Sequence, residues 1–333
     1  MKIKLFAGID VGGTKISVGL VDGSGEILTR EKDPAPQGAT AQKILTQTIK
    51  LLKKVLTKKE LKPSHLTAIG IGIPGLVDAS QGNILVTPNI NLSGFPIKRI
   101  LEKKLQVKVA VGNDVNLGLL GEQWRGAAKG VKNVVGLFPG TGIGGAIILN
   151  GNLVTGAQGI AGELGHMIMD IEGPLCSCGN RGCLEALASR WAIERDIRQA
   201  IKDGRTSVIT SLTKGRLRVI KSKYLKEALQ KKDALITSLM KNVSRILGKA
   251  CVSLRHIFNP EMIVLGGGVI GACGDFVVPR VIKVMTADSF FSGLDDCRVV
   301  EAQLGDDAVI LGAAALAISL DGRKATYINA HNT

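Results

Sequence analysis

The hydrophobic pattern of the first 125 residues predicts alternating strands and helices. Short apolar or alternating runs predict five strands, over residues 3–10, 16–22, 26–32, 66–73 and 107–111. Apolar residues recur at helical spacing in three other segments, over residues 39–56, 96–105 and 115–124. The first two strands are joined by a glycine-rich turn, so they are expected to form a hairpin.

Similar segments recur in the rest of the chain. Four strands are predicted, over residues 133–139, 144–149, 261–265 and 298–302. Four helices are predicted, over residues 188–202, 221–230, 234–256 and 308–319, the last one capped by Asp306 and Asp307. Because a strand, a glycine-rich turn and a second strand occur in both halves, the pattern hints at a duplicated α/β unit.

Length and composition fit a globular protein of two domains. The chain has 333 residues, of which 45% are hydrophobic and 21% charged. Every apolar run of membrane-spanning length is interrupted by glycine or charge, so no membrane segment is predicted. The N-terminus leads directly into a strand and shows no secretory signal, which favours a cytoplasmic location.

The net charge is strongly positive, with 43 Lys and Arg against 28 Asp and Glu. Many lysines fall in the helical segments 50–62 and 221–232, where they form solvated faces. A positive field also favours anionic substrates such as nucleotide phosphates. Nucleic acid is not expected as a partner, because aromatic residues make up only 3% and no nucleic-acid module is recognisable.

Four potential metal ligands fall between residues 159 and 185. They are one histidine and three cysteines, namely His166, Cys176, Cys178 and Cys183. This set matches a closed Cys₃His zinc site, and the glycines between the cysteines suit the tight turn that such a site requires. The alternatives are buried thiols, or a disulfide with one thiol left over. Without a secretory signal, the spacing favours zinc.

Two carboxylates flank these ligands. Glu163 precedes the histidine by three residues, and Glu185 follows the last cysteine by two. A zinc clamp would therefore fix the spacing between two acidic groups beneath a polar binding site.

Two glycine-rich turns carry groups suited to a phosphate and its magnesium. The first contains Asp10, Gly12, Gly13, Thr14 and Lys15. The second, over residues 140–145, offers backbone N–H groups and the hydroxyl of Thr141. Neither turn has the strand-to-helix setting or the Gly-Lys-Thr order of a P-loop. Taken alone, each could be no more than a hairpin turn.

Asp114 lies where a predicted strand ends and a helix begins. Ligands bind at this place in α/β sheets. The residue could equally be a helix cap, which Asp and Asn both form well. A third glycine cluster, residues 266–268, follows the strand at 261–265 and would let a flat ring lie against the backbone.

The order of these motifs resembles that of the ROK sugar kinases, a family named for repressors, unknown frames and kinases. The matching segments are the turns at 10–15, 140–145 and 266–269, Gly-Glu-Leu-Gly-His at 162–166, the cysteine-rich stretch 176–185 and the final helix. The resemblance covers about residues 3–320, nearly the whole chain.

The resemblance implies an actin-like, ribonuclease H-like ATPase fold, with two α/β domains around a cleft. On this basis we expect a small N-terminal domain over residues 1–116, completed by the C-terminal helix at 306–320. A larger C-terminal domain would cover residues 117–305 and carry the zinc-binding loop at 163–185.

The resemblance also implies ATP-dependent phosphorylation of a hexose, usually at O6. Asp114 would be the base that accepts the proton of the sugar hydroxyl. The sugar would be held by Gly75, Asn89, Asn113, Asp114, Glu163, His166 and Glu185. ATP, with Mg²⁺, would be held by Asp10, Gly12, Gly13, Thr14, Lys15, Gly140, Thr141, Gly142, Gly266, Gly267 and Gly268. His166 would bind Zn²⁺, with the three cysteines, through one ring nitrogen and the sugar through the other.

Glucose is the first expectation for the substrate, because two carboxylates can read neighbouring hydroxyls. N-acetylglucosamine, N-acetylmannosamine, fructose and allose are alternatives, because Leu92 follows Asn91 where many glucose-preferring relatives carry an aromatic residue. For the two N-acetyl sugars, the small Ser93 and Gly94 would provide the extra room needed at C2. A sugar-responsive repressor of the same family is a further alternative. Such a repressor carries a helix-turn-helix before the kinase-like part, and the first glycine turn begins already at Asp10. A homodimer or higher homo-oligomer is expected.

Overall fold

A five-stranded sheet lies at the centre of the first of the two units into which the chain divides. The computed structural model describes residues 4–78, 81–88, 90–294 and 297–322. The first unit contains the described residues up to Val131, residues 152–161, and those from Asp306 onward. The second contains residues 132–151 and 162–305.

The first unit combines strands with flanking helices. Its strands before residue 131 are β1 (Leu5–Val11), β2 (Lys15–Asp22), β3 (Ile27–Pro34), β4 (Leu66–Ile73), β5 (Leu76–Asp78), β6 (Asn83–Val86) and β7 (Lys108–Asn113). Its helices are α1 (Ala41–Thr57), α2 (Ile97–Leu105), α3 (Asp114–Arg125) and the last helix of the chain, α10 (Ala308–Ser319). The main sheet has the order β3-β2-β1-β4-β7, and β5 pairs with β6 in a separate ribbon.

Three parallel strands bring the candidate acidic residues to one edge of this sheet. Strands β1, β4 and β7 lie side by side, so their carboxyl ends meet at the same edge. Asp10 lies opposite Gly72 on β4, and Ile73 of β4 lies opposite Asn113 on β7. Asp10 and the start of α3 therefore emerge with only one strand between them.

Helix α10 packs unusually close to the sheet and to α3. A Cβ atom added to Gly8 or Gly70 would lie 2.0 or 1.8 Å from a backbone carbonyl oxygen of α10. One added to Gly121 on α3 would lie 2.1 Å from the carbonyl oxygen of Ala308. One added to Gly312 would lie 1.7 Å from the carbonyl oxygen of Leu117. Glycine is required at these contacts because two backbones touch.

The second unit is built around strands β8 (Val134–Pro139), β9 (Ile143–Leu149), β11 (Met262–Leu265) and β12 (Arg298–Glu301), in the order β9-β8-β11-β12. The short strand β10 (Asn152–Leu153) falls in the segment assigned to the first unit. The helices of the second unit are α4 (Leu184–Ala188), α5 (Arg190–Lys202), α6 (Ile209–Leu212), α7 (Ser222–Gln230), α8 (Ala234–Phe258) and α9 (Gly267–Thr286).

Most elements lie where the hydrophobic pattern predicts them, but α9 was not predicted. Its sequence contains Gly271, Gly274 and Pro279, which are poor helix formers. The helix is kinked at Cys273, where the backbone leaves helical geometry. Tertiary packing overrides propensity here, since six of the first twelve residues of α9 are buried: Val269, Ile270, Cys273, Gly274, Val277 and Val278.

The expected domain boundary after residue 116 falls inside α3. In the structure the first unit extends to Val131, because α3 packs along α10. The return of the last helix to the first unit agrees with the fold that the motifs imply. In the described part of the chain, no helix is both long enough and apolar enough to cross a membrane.

The close approach of α3 and α10 generates a matched pair of substitutions. Gly121→Ala places a methyl group 2.1 Å from a carbonyl oxygen, whereas Gly118→Ala, on the same helix, meets nothing nearer than 4.0 Å. We expect Gly121→Ala to lower the free energy of unfolding by about 1–3 kcal/mol or more, because overpacking forces the backbones apart. Gly118→Ala should be neutral or stabilising by up to about 1 kcal/mol. Equal melting temperatures for the two variants would contradict the packing described.

Candidate functional site

The first glycine turn joins β1 to β2 and directs its carbonyl groups into the protein. The Gly12 N–H donates to the Lys15 carbonyl at 2.9 Å, and the Ala35 N–H donates to the Thr14 carbonyl at 2.9 Å. Gln37 Nε2 donates to the Gly13 carbonyl at 3.0 Å. No hydrogen bond among the described residues takes up the N–H groups of Gly13 and Thr14. The turn therefore presents backbone donors, as an anion site requires.

Asp10 is buried beside this turn. Burial, together with the charges of Asp114 and Asp306, raises the pKa of its carboxyl group to about 7, although the charge of Lys15 acts to lower it. Asp10 and Asp114 are thus close enough to repel each other at the carboxyl edge of the sheet. A pair of carboxylates in this setting favours a cation when both are ionised.

Lys15 forms an ion pair that the sequence did not reveal. Its Nζ lies 2.6 Å from Asp306 Oδ1, and Lys32 Nζ lies 3.7 Å from Asp306 Oδ2. Arg30 pairs with Asp307. The expected capping of α10 by these two aspartates was wrong, since Asp307 occupies the cap position without a side-chain cap hydrogen bond. The two carboxylates instead tie the start of α10 to β2 and β3.

The structure separates the two possible roles of Asp114. The cap of α3 is Asn113, whose Oδ1 accepts from the Asn116 N–H at 3.0 Å. Asp114 is the first residue of the helix, and its Oδ1 accepts from the Val115 N–H at 2.9 Å. Asn113 also donates through Nδ2 to the Gly75 carbonyl at 2.9 Å. Gly75 has a φ of +104°, so the strand-end turn that carries it needs a glycine.

A cavity of about 260 Å³ lies beside the first glycine turn in the same unit. It is lined by Gly12 and Gly13 and by Thr87 and Asn91, which lie in the segment between β6 and α2. The backbone N–H of Thr87 donates to Ser93 Oγ at 2.9 Å, and Asn91 Nδ2 donates to the Ala39 carbonyl at 3.0 Å. Asn89, the remaining sugar candidate of this unit, lies outside the described residues.

In the second unit, the four predicted metal ligands converge. The ligand atoms of His166, Cys176, Cys178 and Cys183 all lie within 4.8 Å of one another. His166 Nδ1 lies 3.7 Å from Cys176 Sγ, and Cys178 Sγ lies 3.6 Å from Cys183 Sγ. The cysteines form no disulfide.

These distances fit a tetrahedral zinc ion. A Zn–S bond of about 2.3 Å and a Zn–N bond of about 2.0 Å give ligand-to-ligand edges of about 3.5–3.8 Å. Burial raises the pKa of Cys183 to about 12, so that sulfur stays protonated unless a metal binds. A bound divalent metal deprotonates a coordinating thiol outright.

The loop that carries these ligands folds through glycine-dependent turns. The Cys176 N–H donates to the Asn180 carbonyl at 2.8 Å, and Gly179 has a φ of +95°. Gly182 has a φ of +69°, and a Cβ added there would overlap the carbonyl of Asp170. The turn chemistry predicted between the cysteines is therefore present.

Glu163 and Glu185 lie close enough for their charges to interact. Desolvation of its carboxyl group raises the pKa of Glu163, although the residue as a whole is exposed. His166 acts to lower that pKa, and the nearby charge of Glu185 raises it. His166 Nδ1 faces the sulfurs, and its Nε2 makes no hydrogen bond to any described residue. Nε2 is thus available to a ligand beside the two carboxylates.

Glu185 also contacts the second glycine turn. Its Oε2 accepts from the Ile143 N–H at 2.9 Å, and its Oε1 accepts from Ser177 Oγ at 3.1 Å. A Cβ added to Gly142 would lie 2.2 Å from Glu185 Oε2. The carboxylate therefore links the cysteine loop to this turn, a role that the sequence did not suggest.

The second glycine turn joins β8 to β9 and is held by the start of α5. The N–H groups of Arg190 and Trp191 donate to the carbonyls of Gly140 and Thr141, at 3.0 and 3.3 Å. Arg190 Nη2 donates to Thr141 Oγ1 at 2.6 Å. Thr141 itself is exposed, as Thr14 is in the first turn.

The three glycines at 266–268 differ in their surroundings. A Cβ on Gly266 would lie 2.6 Å from the Phe138 ring. Gly267 has a φ of +77°, and a Cβ there would lie 2.7 Å from the Pro139 carbonyl oxygen. Gly268 opens into space, with Ser222 Oγ at 3.9 Å as its nearest neighbour. The first two glycines serve local packing, and only Gly268 leaves room for a ligand.

Comparison with known proteins places the chain in a family. The ROK family profile matches residues 6–319, and the chain belongs to the ROK family. Its fold is that of the ROK sugar kinases, the actin-like ATPase fold expected from the motifs.

The relatives include both enzymes and regulators. The chain is 34% identical to a glucokinase of Halalkalibacterium halodurans, over 95% of this chain and 96% of the relative. It is 30% identical to a xylose repressor of Caldicellulosiruptor bescii, over 94% of this chain and 77% of the relative. Among solved structures, it is similar to a ROK glucokinase of Streptomyces griseus in complex with glucose and AMPPNP. That likeness has 32% identity and a TM-score of 0.79, and covers 95% of this chain and 99% of the other.

The raised pKa of Asp10 generates a prediction about stability and pH. The native state holds a proton on Asp10 up to about pH 7, whereas an ordinary Asp loses it near 3.8. The native state thus binds more protons between these values, so this residue's contribution to stability falls as the pH rises through that range. The Asp10→Asn variant has no carboxyl group at this position, so it does not lose stability in this way as the pH rises. Without magnesium or nucleotide, we expect it to melt several degrees above the wild type at pH 8, because 1 kcal/mol shifts the midpoint by about 2–4 °C.

At pH 4 the same variant should melt close to the wild type. Asp22→Asn is the control, since burial of Asp22 is slight and hydrogen bonds from Ser24 and Glu26 lower its pKa overall. The Asp22→Asn variant should therefore not melt above the wild type at pH 8. If the difference in melting temperature between Asp10→Asn and the wild type is the same at pH 4 and pH 8, the raised pKa of Asp10 is contradicted.

Proposed function

We propose that this protein is an ATP-dependent kinase that phosphorylates the O6 hydroxyl of a hexose, with glucose as the preferred substrate. The observation that carries the proposal is the pair Asp10 and Asp114 at one sheet edge, beside a glycine turn with uncommitted N–H groups. A site that only binds sugar has no need of two mutually repelling carboxylates beside an anion-binding turn.

Asp114 is the general base in this proposal. The structure supports the assignment because Asn113, and not Asp114, caps α3. A sugar hydroxyl is a poor nucleophile, and a carboxylate within hydrogen-bond reach can accept its proton as the bond to phosphorus forms. Phosphoryl transfer needs little covalent chemistry from the protein, so positioning and charge do most of the work.

The nucleotide phosphates are assigned to the two glycine turns. Thr14 and Thr141 are both exposed, and each lies in a turn whose backbone N–H groups remain available. Mg²⁺ would accompany the phosphates near Asp10, whose carboxylate is of the kind that this ion prefers, and would offset the charge of the phosphate oxygens. The adenosine is assigned to the open space at Gly268.

The sugar hydroxyls are assigned to the residues around the cysteine loop and to the edge of the first unit's sheet. The assignment of Glu163, Glu185 and His166 is supported by the charge interactions of Glu163 with the other two residues, and by His166 Nδ1, which faces Cys176 and leaves Nε2 for a ligand. Asn113 keeps one N–H and one lone pair after its two hydrogen bonds. Zn²⁺, held by His166 and the three cysteines, would hold the loop and the imidazole ring in place.

Glucose ranks ahead of other hexoses because relatives of similar length are glucokinases. N-acetylhexosamines and fructose are the alternatives, since the small Ser93 and Gly94 allow a bulkier group. The relatives that are repressors favour a second function, sugar-dependent DNA binding, which the charge of +15 would also suit.

A coupled ADP-release assay over a panel of hexoses, with Asp114→Asn, tests the proposal. Asn keeps the shape of the side chain but cannot accept the proton, so kcat should fall by about 10²–10⁴. The KM for sugar should change far less. The melting temperature should be unchanged, because Asn113 still caps the helix. A variant with near-normal kcat would remove Asp114 from the mechanism, and a wild type inactive on every hexose would favour the repressor.

The zinc assignment is tested by metal analysis. We expect about one zinc per chain after chelator washing, and its loss in Cys178→Ser, together with a lower melting temperature, because binding a structural metal contributes folding free energy. Cys251→Ala is the control, since Cys251 is a buried cysteine outside the cluster. Zinc-free wild-type protein with unchanged melting and activity would contradict the assignment.

A further inference from the structure

Arg190 occupies an unexpected position at the second glycine turn. It is the first residue of α5, which Ser189 caps by accepting from the Ala192 N–H. Its Nη2 donates to Thr141 Oγ1 at 2.6 Å, and its own N–H donates to the Gly140 carbonyl at 3.0 Å. Side chain and backbone of one residue therefore hold two neighbouring positions of the turn.

The hydrogen bond from Arg190 fixes the direction of the Thr141 hydroxyl group. A hydroxyl can accept through its oxygen and donate its single hydrogen. Because a guanidinium only donates, Thr141 Oγ1 must be the acceptor in this contact, which leaves its hydrogen for another partner. Phosphate oxygens only accept, so the hydroxyl is set to donate to one.

The backbone of the second glycine turn is also arranged to donate hydrogen bonds to a ligand. The carbonyls of Gly140, Thr141 and Gly142 accept from N–H groups of Arg190, Trp191 and Gly140. The N–H groups of Thr141 and Gly142 have no hydrogen-bond partner among the described residues. A turn whose carbonyls are already hydrogen-bonded and whose N–H groups remain available has the arrangement of an anion-binding concavity.

Most N–H donors of the Arg190 guanidinium group make no hydrogen bond to a described residue. Its Nε is buried 3.4 Å from Glu194 Oε1, without a hydrogen bond to any described residue. The side chain is 23% exposed. Of its five N–H donors, the structure commits only one, on Nη2, to a hydrogen bond. Glu194 at one end and Thr141 at the other thus hold the planar group while several donors remain, as phosphate recognition requires.

We propose that Arg190 is a positioning residue of the nucleotide site, which sets the Thr141 hydroxyl as a donor and shares with it a phosphate group of ATP. The inference rests on the proposed function, since it takes the second turn as a phosphate site. The competing interpretation is an i,i+4 ion pair between Arg190 and Glu194 that only stabilises α5. That interpretation predicts an effect on stability and none on nucleotide binding.

The test measures the Kd for AMPPNP by calorimetry and the KM for ATP in the Arg190→Met variant. We expect both to rise roughly 10- to 100-fold, because charge-assisted hydrogen bonds to the nucleotide are lost. Arg190→Lys should recover part of the affinity, since it restores the charge without the planar group. The control is Arg198→Met, which changes an exposed arginine on the same helix whose side-chain hydrogen bonds, within the described part of the chain, go to the carbonyls of Leu217 and Arg218. This variant should bind AMPPNP as the wild type does.

Two further variants separate positioning from stability. Arg190→Met leaves the buried Glu194 without its cation, so Arg190→Met/Glu194→Gln removes that charge as well, and it should bind AMPPNP as weakly as Arg190→Met alone. In a double-mutant cycle, Thr141→Val should weaken binding far less in the Arg190→Met background than in the wild type, because without Arg190 the hydroxyl is no longer held as a donor. Independent, additive losses would overturn the role through Thr141.

The outcomes distinguish this inference from the proposed function. If the wild type binds AMPPNP and Arg190→Met binds it equally well, the inference fails while the kinase proposal stands. If the wild type phosphorylates no hexose but binds AMPPNP in an Arg190-dependent manner, the inference stands without the kinase. If the wild type binds no AMPPNP at any concentration tested, both are overturned.

Discussion

The close contact of α10 with the sheet and with α3 is the constraint on which the candidate site residues of the first unit depend. The helix touches β1 and β4 through Gly8 and Gly70, and touches α3 through Gly121 and Gly312, backbone against backbone. Because no side chain separates these elements, the start of α10 is brought to the first glycine turn, where Asp306 pairs with Lys15. The position of Lys15 therefore depends on a helix almost three hundred residues away in sequence.

In the second unit, a short stretch of chain connects the cysteine cluster to the second glycine turn. Cys183 is followed two residues later by Glu185, which accepts from the Ile143 N–H, and seven residues later by Arg190, which donates to Thr141. The segment that leaves the cysteine cluster is thus hydrogen-bonded at both ends of the second glycine turn. A metal that orders the cysteine loop would order this turn as well, although no metal ligand lies in it.

Local chemistry was readable from the sequence, and long-range pairing was not. Four ligands within eighteen residues, with glycines between them, predicted a cluster that the structure brings together. The strand ends and the turns also follow from periodicity and glycine placement. In contrast, α9 contains Gly271, Gly274 and Pro279 and was missed, because packing outweighs propensity there. Asp306 and Arg190 were missed because their partners, Lys15 and Thr141, are distant in sequence, and both residues had plausible local roles at helix starts.

The electrostatics of the first unit fit a site that receives a cation with its substrate. Burial and the charge of Asp114 raise the pKa of Asp10, and Lys15, which could relieve that repulsion, is itself engaged by Asp306. The protein therefore keeps two acidic groups short of positive charge at the edge where β1 and β7 end. A magnesium nucleotide would supply positive charge at this edge and, by offsetting the repulsion, would favour the ionised form of Asp10. If Asp114 is the base, as proposed above, the magnesium nucleotide would also offset the repulsion between this base and Asp10, so that binding of the phosphoryl donor would change the electrostatic environment of the base.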